Sequence, residues 1–390
     1  MSHKAHFSRS LRADPERLHF AAHSHHLWPD VTHDAQMACW DDAARLADRK
    51  WEHVFGEIVP QTQDLIAKVL GLSNPASLAF APNTHEFLRR ILSCLPAGRP
   101  PRILTSDGEF HSFTRQAARL EEEGLIAVQR IPVQPFGDFA ARFAAAAAQQ
   151  THDLIYVSQV FFNSGFAIAD LEGLIAGLPD DGSFVVIDGY HGFLARPTDF
   201  SAIEQRGFYL SGGYKYAMAG EGTCFLHAPP GYGPRPRDTG WYAAFGALEA
   251  QQPDAVAYAP DARRFLGATF DPVGIYRLLA VLRLLDDLGL DATAIHAHAR
   301  KLQDLFLDGL ERRAPPVLPR ESLLLDPRTE ACGQFLTFEL GVERAAALQA
   351  GLLAANVITD HRGSRLRFGF GLYQDEGDVE ALLNRLQQLS

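Results

Sequence analysis

Short apolar runs recur through the first two thirds of the chain, separated by stretches of helical periodicity. The runs Ser77–Ala81, Arg102–Ser106, Ile126–Val133, Asp153–Gln159, Phe184–Asp188, Gly207–Ser211 and Thr223–His227 read as buried strands. Between the first six lie helical patterns such as His85–Leu95, Ser112–Glu123 and Phe139–Gln149. Strand–helix alternation of this length predicts a mostly parallel sheet covered on both faces. The link from Ser211 to Thr223 is too short for a helical crossover, so the seventh strand is expected to run antiparallel.

Beyond Pro272 the pattern changes. Val273–Leu288 and Ala292–Arg312 read as long helices, followed by a turn rich in proline (Pro315, Pro316, Pro319). A strand near Gln334–Glu339, a helix near Val342–Ala354 and a last helix after Asp375 complete the chain. The expectation is an α/β protein in three parts. Residues 56–272 form a large domain around a seven-stranded, mostly parallel sheet, and residues 273–390 form a smaller C-terminal α/β domain. Residues 1–55, with an amphipathic helix near His33–Ala47, pack onto the smaller one.

Composition narrows the functional classes. The 390 residues are 47% hydrophobic and 21% charged, enough apolar material for a sizeable core. A net charge of −11 argues against a nucleic-acid binder, whose affinity comes from basic residues neutralising phosphates, and favours a small-molecule partner. The four cysteines, Cys39, Cys94, Cys224 and Cys332, are scattered with no C-x-x-C pair, so neither a disulfide framework nor a zinc knuckle is expected. The opening Met1-Ser2-His3-Lys4 lacks the apolar core of a signal peptide, and no apolar run reaches membrane-spanning length. No membrane partner and a cytoplasmic location are the expectation.

In open α/β sheets ligands bind outside the carboxyl ends of the strands, which gathers the polar residues found there into one crevice. Lys215 sits in the turn Gly212-Gly213-Tyr214-Lys215-Tyr216, where small residues admit a bulky ligand. A lysine in a dry crevice loses proton affinity and becomes a nucleophilic amine; the plainer reading is a lysine snorkelling at a strand end. Asp188 ends the buried run Phe184–Asp188, where a lone carboxylate is costly. A pyridinium nitrogen is a suitable partner: at ~4 Å and an effective dielectric near 20 the attraction is about 4 kcal/mol. A carboxylate capping a nearby turn is the plainer alternative. Asn83 or Thr84, before His85, can cap a helix whose free N–H groups suit a phosphate, and Glu86 can close a capping box with Asn83. His111 or Phe110 can lie flat on a cofactor ring. Near the end, Arg362, Arg365 and Arg367 offer guanidinium forks for a substrate carboxylate, or merely a solvated basic patch.

With these residues in view, the sequence resembles the class V aminotransferase group of pyridoxal 5'-phosphate (PLP) enzymes, fold type I, and within it kynureninase. Asp188-Gly189-Tyr190-His191 resembles the family's Asp-x-x-His, and Tyr214-Lys215-Tyr216 its Tyr-Lys-Tyr. Gly240-Trp241 is similar to its Gly-Trp, and Arg365-Leu366-Arg367-Phe368-Gly369 to its carboxylate-binding segment. The resemblance implies a Schiff base on Lys215, Asp188 on the pyridine nitrogen and His191 beside the cofactor. It also implies Tyr214 on the phosphate, Trp241 near phosphate and dimer partner, Arg367 on the substrate carboxylate, and His111, with Phe110 close behind, on the ring. Asn83, Thr84 and His85 join the cofactor contacts. Two segments depart: Ala22-His23-Ser24-His25-His26 replaces a Gly-Asn-Ser-Leu-Gly, and Gly267-Ala268-Thr269 stands for Gly-Thr. His23 and His25 are then polar lining of a substrate pocket, and Thr269 a phosphate contact from the second subunit. A homodimer acting on a small amino acid is implied, with kynureninase-like hydrolytic cleavage of the side chain and transamination as the alternative.

Rival readings turn on single features. A cysteine desulfurase needs a nucleophilic cysteine on the loop before the carboxylate arginine, and Asp360-His361-Arg362-Gly363-Ser364 has none. A metal-dependent hydrolase could use the His23-x-His25 pair, but a barrel needs eight βα repeats and the pattern breaks after Pro272. A binding protein on the same fold, with turnover lost, is the third.

Overall fold

The computed structural model describes residues 2–229, 235–245 and 255–389. All seven apolar runs form strands of one sheet: β1 (Leu78–Ala81), β2 (Arg102–Ser106), β3 (Ala127–Ile131), β4 (Leu154–Ser158), β5 (Phe184–Asp188), β6 (Gly207–Gly212) and β7 (Cys224–His227). Their order is β1-β7-β6-β5-β4-β2-β3. The pairs β2–β3, β2–β4, β4–β5 and β5–β6 are parallel. As the short Ser211–Thr223 link requires, β7 is antiparallel to both β6 and β1. The run expected over Ile126–Val133 ends early, because Pro132 has no N–H to offer a ladder and the N–H of Val133 donates to Asp107 at 2.9 Å.

Side chains alternate along these strands and so divide between two apolar clusters. Leu104, Ile155, Val157, Val185, Ile187 and Tyr209 face one side, with Phe139 and Phe143 of the helix Phe139–Gln149. Ile103, Leu154, Tyr156, Val186, Phe208 and Leu210 face the other, against Phe87, Ile91, Phe113 and Ala117. These last four come from the helices Thr84–Cys94 and His111–Glu122. Each fully buried Leu, Ile, Val or Phe contributes about 1.5–3 kcal/mol, so strands covered on both faces are the firmest platform the chain has.

A second, antiparallel sheet follows: β8 (Phe335–Glu339), β9 (Asp360–Arg362) and β10 (Arg365–Gly369), in the order β9-β10-β8. Its own cluster includes Phe306, Phe338, Leu352, Phe368 and Leu382, drawn partly from the helices Ala292–Arg313, Val342–Ala354 and Glu376–Gln388. The front of the chain is tied here. Leu18–His19 pairs in parallel with Val357–Ile358, Ala21 bridges Gly369, and Lys4 Nζ donates to Asp375 and Asp378 at 3.0 and 2.9 Å. The helix Val31–Leu46 instead meets the helix Val273–Asp287, where Tyr276 donates to Asp42 at 3.0 Å and Arg277 to Gln36 at 3.1 Å. Ile275, Leu278 and Leu282 of that second helix share the apolar cluster of Val185 and Ile187. Among the described residues, no helix is long and apolar enough to cross a membrane.

Candidate active site

The adjacent parallel strands β5 and β6 end at the same edge of the large sheet, which brings Asp188 and the turn carrying Lys215 together. That turn tolerates little but glycine. A Cβ on Gly212 would stand 2.2 Å from Tyr190 Oη, and one on Gly213 2.8 Å from the Gly220 carbonyl. The edge encloses a cavity of about 190 Å³ lined by Lys215, Asp188, His191 and Tyr214. Asn83, Thr84 and His85 close it on one side, and Phe110 and Phe162 on another. Eight of the expected site residues therefore share one space.

Lys215 is 5% exposed, and its Nζ lies 2.7 Å from His191 Nε2. The rings of Tyr190, Phe110 and Tyr214 surround it at 4.6, 5.2 and 5.6 Å. Burial pushes its pKa down to about 7, opposed by the Asp188 carboxylate and reinforced by Arg367. Near neutrality much of this amine is uncharged. Burial, then the Lys215 charge, holds His191 well below the usual imidazole range. A neutral ring accepting from Lys215 at Nε2 carries its proton on Nδ1, and that buried atom has no hydrogen-bond partner among the described residues.

Asp188 accepts from the Tyr190 N–H at 3.0 Å and from Tyr156 Oη at 2.9 Å, while burial raises its pKa. Behind it a second carboxyl is sealed in. Glu109, 3% exposed, meets Ser106 Oγ and Ser158 Oγ, each at 2.5 Å. Burial pushes Glu109 up to about 8 against those hydrogen bonds, and the Asp188 charge adds to the rise. Raised this far by burial, Glu109 keeps its proton at neutral pH.

Asn83 caps the helix Thr84–Cys94, its Oδ1 accepting from the Glu86 N–H at 3.1 Å. Glu86 turns to Arg90 at 2.9 Å rather than back to Asn83, so the expected capping box does not close. The first-turn N–H groups of such a helix lack intrahelical partners and suit a phosphate, and His85 Nδ1 beside them is buried and unpartnered. The cavity thus has a carboxylate at one end, a helix N-terminus at another, an aromatic wall and a half-neutral amine between. These features fit PLP. When bound, PLP supplies an aldehyde that an amine captures and a ring that draws electrons from the substrate.

Several expected residues lie elsewhere. His111 is exposed and packs edge-on against Phe162 at 5.0 Å, so Phe110, not His111, forms the cavity wall. The reason is local: His111 is the first residue of its helix and turns outward, whereas Phe110 precedes the helix in extended backbone. Trp241, 43% exposed, donates to Thr269 Oγ1 at 3.3 Å, and neither lines the cavity in a single chain. Arg367 and His23 stand behind the wall, packed against Phe335, with Arg367 5.8 Å above that ring and His23 stacked on it at 4.8 Å. His25 is exposed and stacks on Tyr214 at 5.0 Å. His23 instead reaches Asp360 at 2.8 Å, so the two histidines diverge rather than chelate. Sequence reading missed Tyr156 and Phe162. Tyr156 was within reach: it lies two residues before Ser158 on the same face of β4, and Ser158 is in register with Asp188. Phe162, in a loop, gave no periodic signal.

The family model for Aminotransferase class-V matches residues 42–382. A probable cysteine desulfurase of Vibrio cholerae serotype O1 is 23% identical over 337 residues, which is 82% of this chain and 80% of that one. Among solved structures, a C-DES variant with glycine covalently linked to its PLP cofactor superposes with a TM-score of 0.82 at 19% identity, covering 99% of both chains. The cystine C–S lyase C-DES, in complex with its reaction product cysteine persulfide, gives 0.79 at 19% identity over 95% and 97% of the two chains. The cysteine desulfurase CsdA of Escherichia coli gives 0.78 at 17% identity over 99% and 96%. The fold is that of fold type I PLP-dependent enzymes. The expected group is therefore right, but these relatives are desulfurases and a C–S lyase rather than kynureninases.

Proposed function

Because this chain belongs to the aminotransferase class-V family, a PLP-dependent family, we propose that it is a PLP-dependent lyase. It would break a bond at Cβ of a small amino acid, with carbon–sulfur cleavage the favoured reaction. The observation that carries this reading is a near-neutral Lys215 amine on His191 in a cavity with no thiolate to receive sulfur. Burial pushes Cys39 up to about 11 and Cys94, Cys224 and Cys332 up to about 12, so none is a ready nucleophile at neutral pH. Cys224 is wedged beneath Gly212, and Cys332 pairs with Phe166 through backbone. The loop between Asp360 and Arg365 has no cysteine. Such a site suits elimination, in which the leaving group departs unaided by a protein thiol, better than sulfur transfer to the protein.

Each side chain then has a task. Lys215 Nζ would take the Cα proton, and His191 Nε2 at 2.7 Å would orient that amine by accepting a hydrogen bond from it. Asp188, fixed by Tyr190 and Tyr156, would pair with the ring nitrogen of the cofactor. Phe110 would support the ring, Asn83, Thr84, His85 and Tyr214 would hold the phosphate end, and Arg367 would receive the substrate carboxylate. We assign the exposed Trp241–Thr269 pair to the contact between two copies of the chain. Sedimentation should give a dimer, and Trp241→Glu should weaken it.

Kynureninase-like hydrolysis is the second reading. It is favoured by the edge-to-face pair of Phe110 and Phe162, 5.3 Å apart, which offers an aromatic wall to an aromatic side chain. One incubation separates the possibilities: holoenzyme with cysteine, cystine, kynurenine, and alanine plus a keto acid. Sulfide and pyruvate support carbon–sulfur cleavage, and anthranilate supports the second reading. A new amino acid formed with neither sulfide nor anthranilate would identify an aminotransferase and end both.

A further inference from the structure

Arg367 is 3% exposed, and a guanidinium so deeply placed is costly unless paired. Its pairing is supplied by the chain itself. Nε donates to Asp360 Oδ1 at 2.8 Å, Nη2 donates to Asp360 Oδ2, and Nη1 donates to the Phe162 carbonyl. This is the two-bond match of fork and carboxylate, made straight across the β9–β10 register, where Asp360 opposes Arg367. Phe162 joins this cluster to the Lys215 cavity, which its ring lines. Asp360 thus holds the bonds that an incoming carboxylate needs.

Asp360 also has two other partners, one buried and one exposed. His23 Nε2 lies 2.8 Å from Oδ1, and Arg362, a solvent-exposed guanidinium, lies 3.6 Å from Oδ2. The strand β9 is only three residues long, lies at the sheet edge and ends at Gly363 with φ +56°. It is the shortest strand of this sheet.

We propose that Asp360 is a specificity-determining latch: it fills the Arg367 fork in the resting enzyme, and a substrate's α-carboxylate enters by exchange as Asp360 shifts outward onto Arg362. The proposal rests on the reading of Arg367 as the carboxylate site. Exchange leaves no guanidinium unpaired, because Arg367 trades one carboxylate for another while Arg362 gains the one released. An amine without a carboxylate cannot open the latch, so the site selects amino acids over simple amines at the binding step.

The test uses holoenzyme titrated with glycine, which has no Cβ bond to break, and with methylamine, the same amine without the carboxylate. Binding is read from the visible absorbance of the cofactor. Asp360→Asn should tighten glycine about ten-fold, the gain expected when a competent state populated at roughly one part in ten becomes dominant. Methylamine should be unchanged. Arg367→Ala should weaken glycine and spare methylamine; if glycine is unaffected, the carboxylate-site reading fails and the latch with it. If Arg367→Ala weakens glycine but Asp360→Asn leaves it the same or weaker, the latch alone is wrong and Arg367 stands. Should Asp360→Asn not fold, Arg362→Ala decides: removing the outer guanidinium should weaken glycine several-fold, and an unchanged glycine affinity overturns the outward exchange.

Discussion

Lys215 Nζ and His191 Nε2 stand 2.7 Å apart just past the carboxyl ends of two adjacent parallel strands, an amine and an imidazole that burial has both pushed toward neutrality. In the apoprotein this has a measurable consequence. The amine falls from 10.5 to about 7 on folding, so between these values the unfolded chain holds a proton that the folded one does not. The stability linked to this amine is present above about 10.5 and is lost as pH falls toward 7, at about 1.4 kcal/mol per unit at most. Lys215→Met should flatten that part of the profile. Denaturant titrations of apoprotein at pH 7 to 10 check it; an identical slope in the variant would mean that the amine keeps its ordinary affinity.

Asp188→Asn should keep the fold and still bind cofactor while losing most turnover. A carboxylate–pyridinium attraction of about 4 kcal/mol corresponds to roughly a thousand-fold. Tyr156→Phe removes one of the two hydrogen bonds that orient Asp188 and should cost a smaller factor, about ten-fold. Steady-state rates on the substrate found by the product assay decide this. Equal effects of the two substitutions would contradict the division of roles.

Phe110→Ala should weaken cofactor binding about ten-fold through loss of the aromatic wall, whereas His111→Ala should leave it within about two-fold. Fluorescence titration of apoprotein with PLP measures both. A larger loss at His111 would reverse their assignment.

Glu109→Gln tests the sealed carboxyl. Folding raises Glu109 from 4.5 to about 8, so its stabilising effect is complete below about 4.5 and is lost as pH rises toward 8. The amide does not titrate. The variant should therefore be more stable than the parent at pH 8 and lose less stability between pH 5 and 8. A thermal-melting series across that range reads the difference. A variant that is less stable at pH 8 would show that the ionised form is the native one.

Much of this arrangement was legible in the sequence because its strands are buried on both faces. A continuous apolar run such as Phe184–Asp188 has one interpretation in an alternating chain, and its boundaries agree with β5 residue for residue. The same regularity fixed the strand ends and hence Asn83, Asp188, His191 and Lys215 in one crevice. What could not be seen depends on side-chain direction and on contacts between distant segments. Phe110 and His111 are neighbours in sequence, yet only the turn into their helix decides which of them faces the cavity. The ion pair of Asp360 with Arg367 needs the register of a hairpin, and no local pattern revealed that the arginine fork is already filled. The sequence places the histidines at 23 and 25 together in a substrate pocket, but the chain turns there and sends them apart, to Asp360 and Tyr214.

The parallel pairing of Leu18–His19 with Val357–Ile358 bears on how this molecule matures. His19 and Tyr373 bond at 2.6 Å although 354 residues separate them, and His23 meets Asp360 a few residues further on. On the ribosome Leu18–His19 emerges well before Val357–Ile358 and must wait for that partner to be made. The sheet around Lys215 precedes that point in the chain, but the wall that carries Arg367 needs the strand Arg365–Gly369. A nascent chain stalled before β10 would therefore own its reactive lysine yet lack the arginine that screens what reaches it.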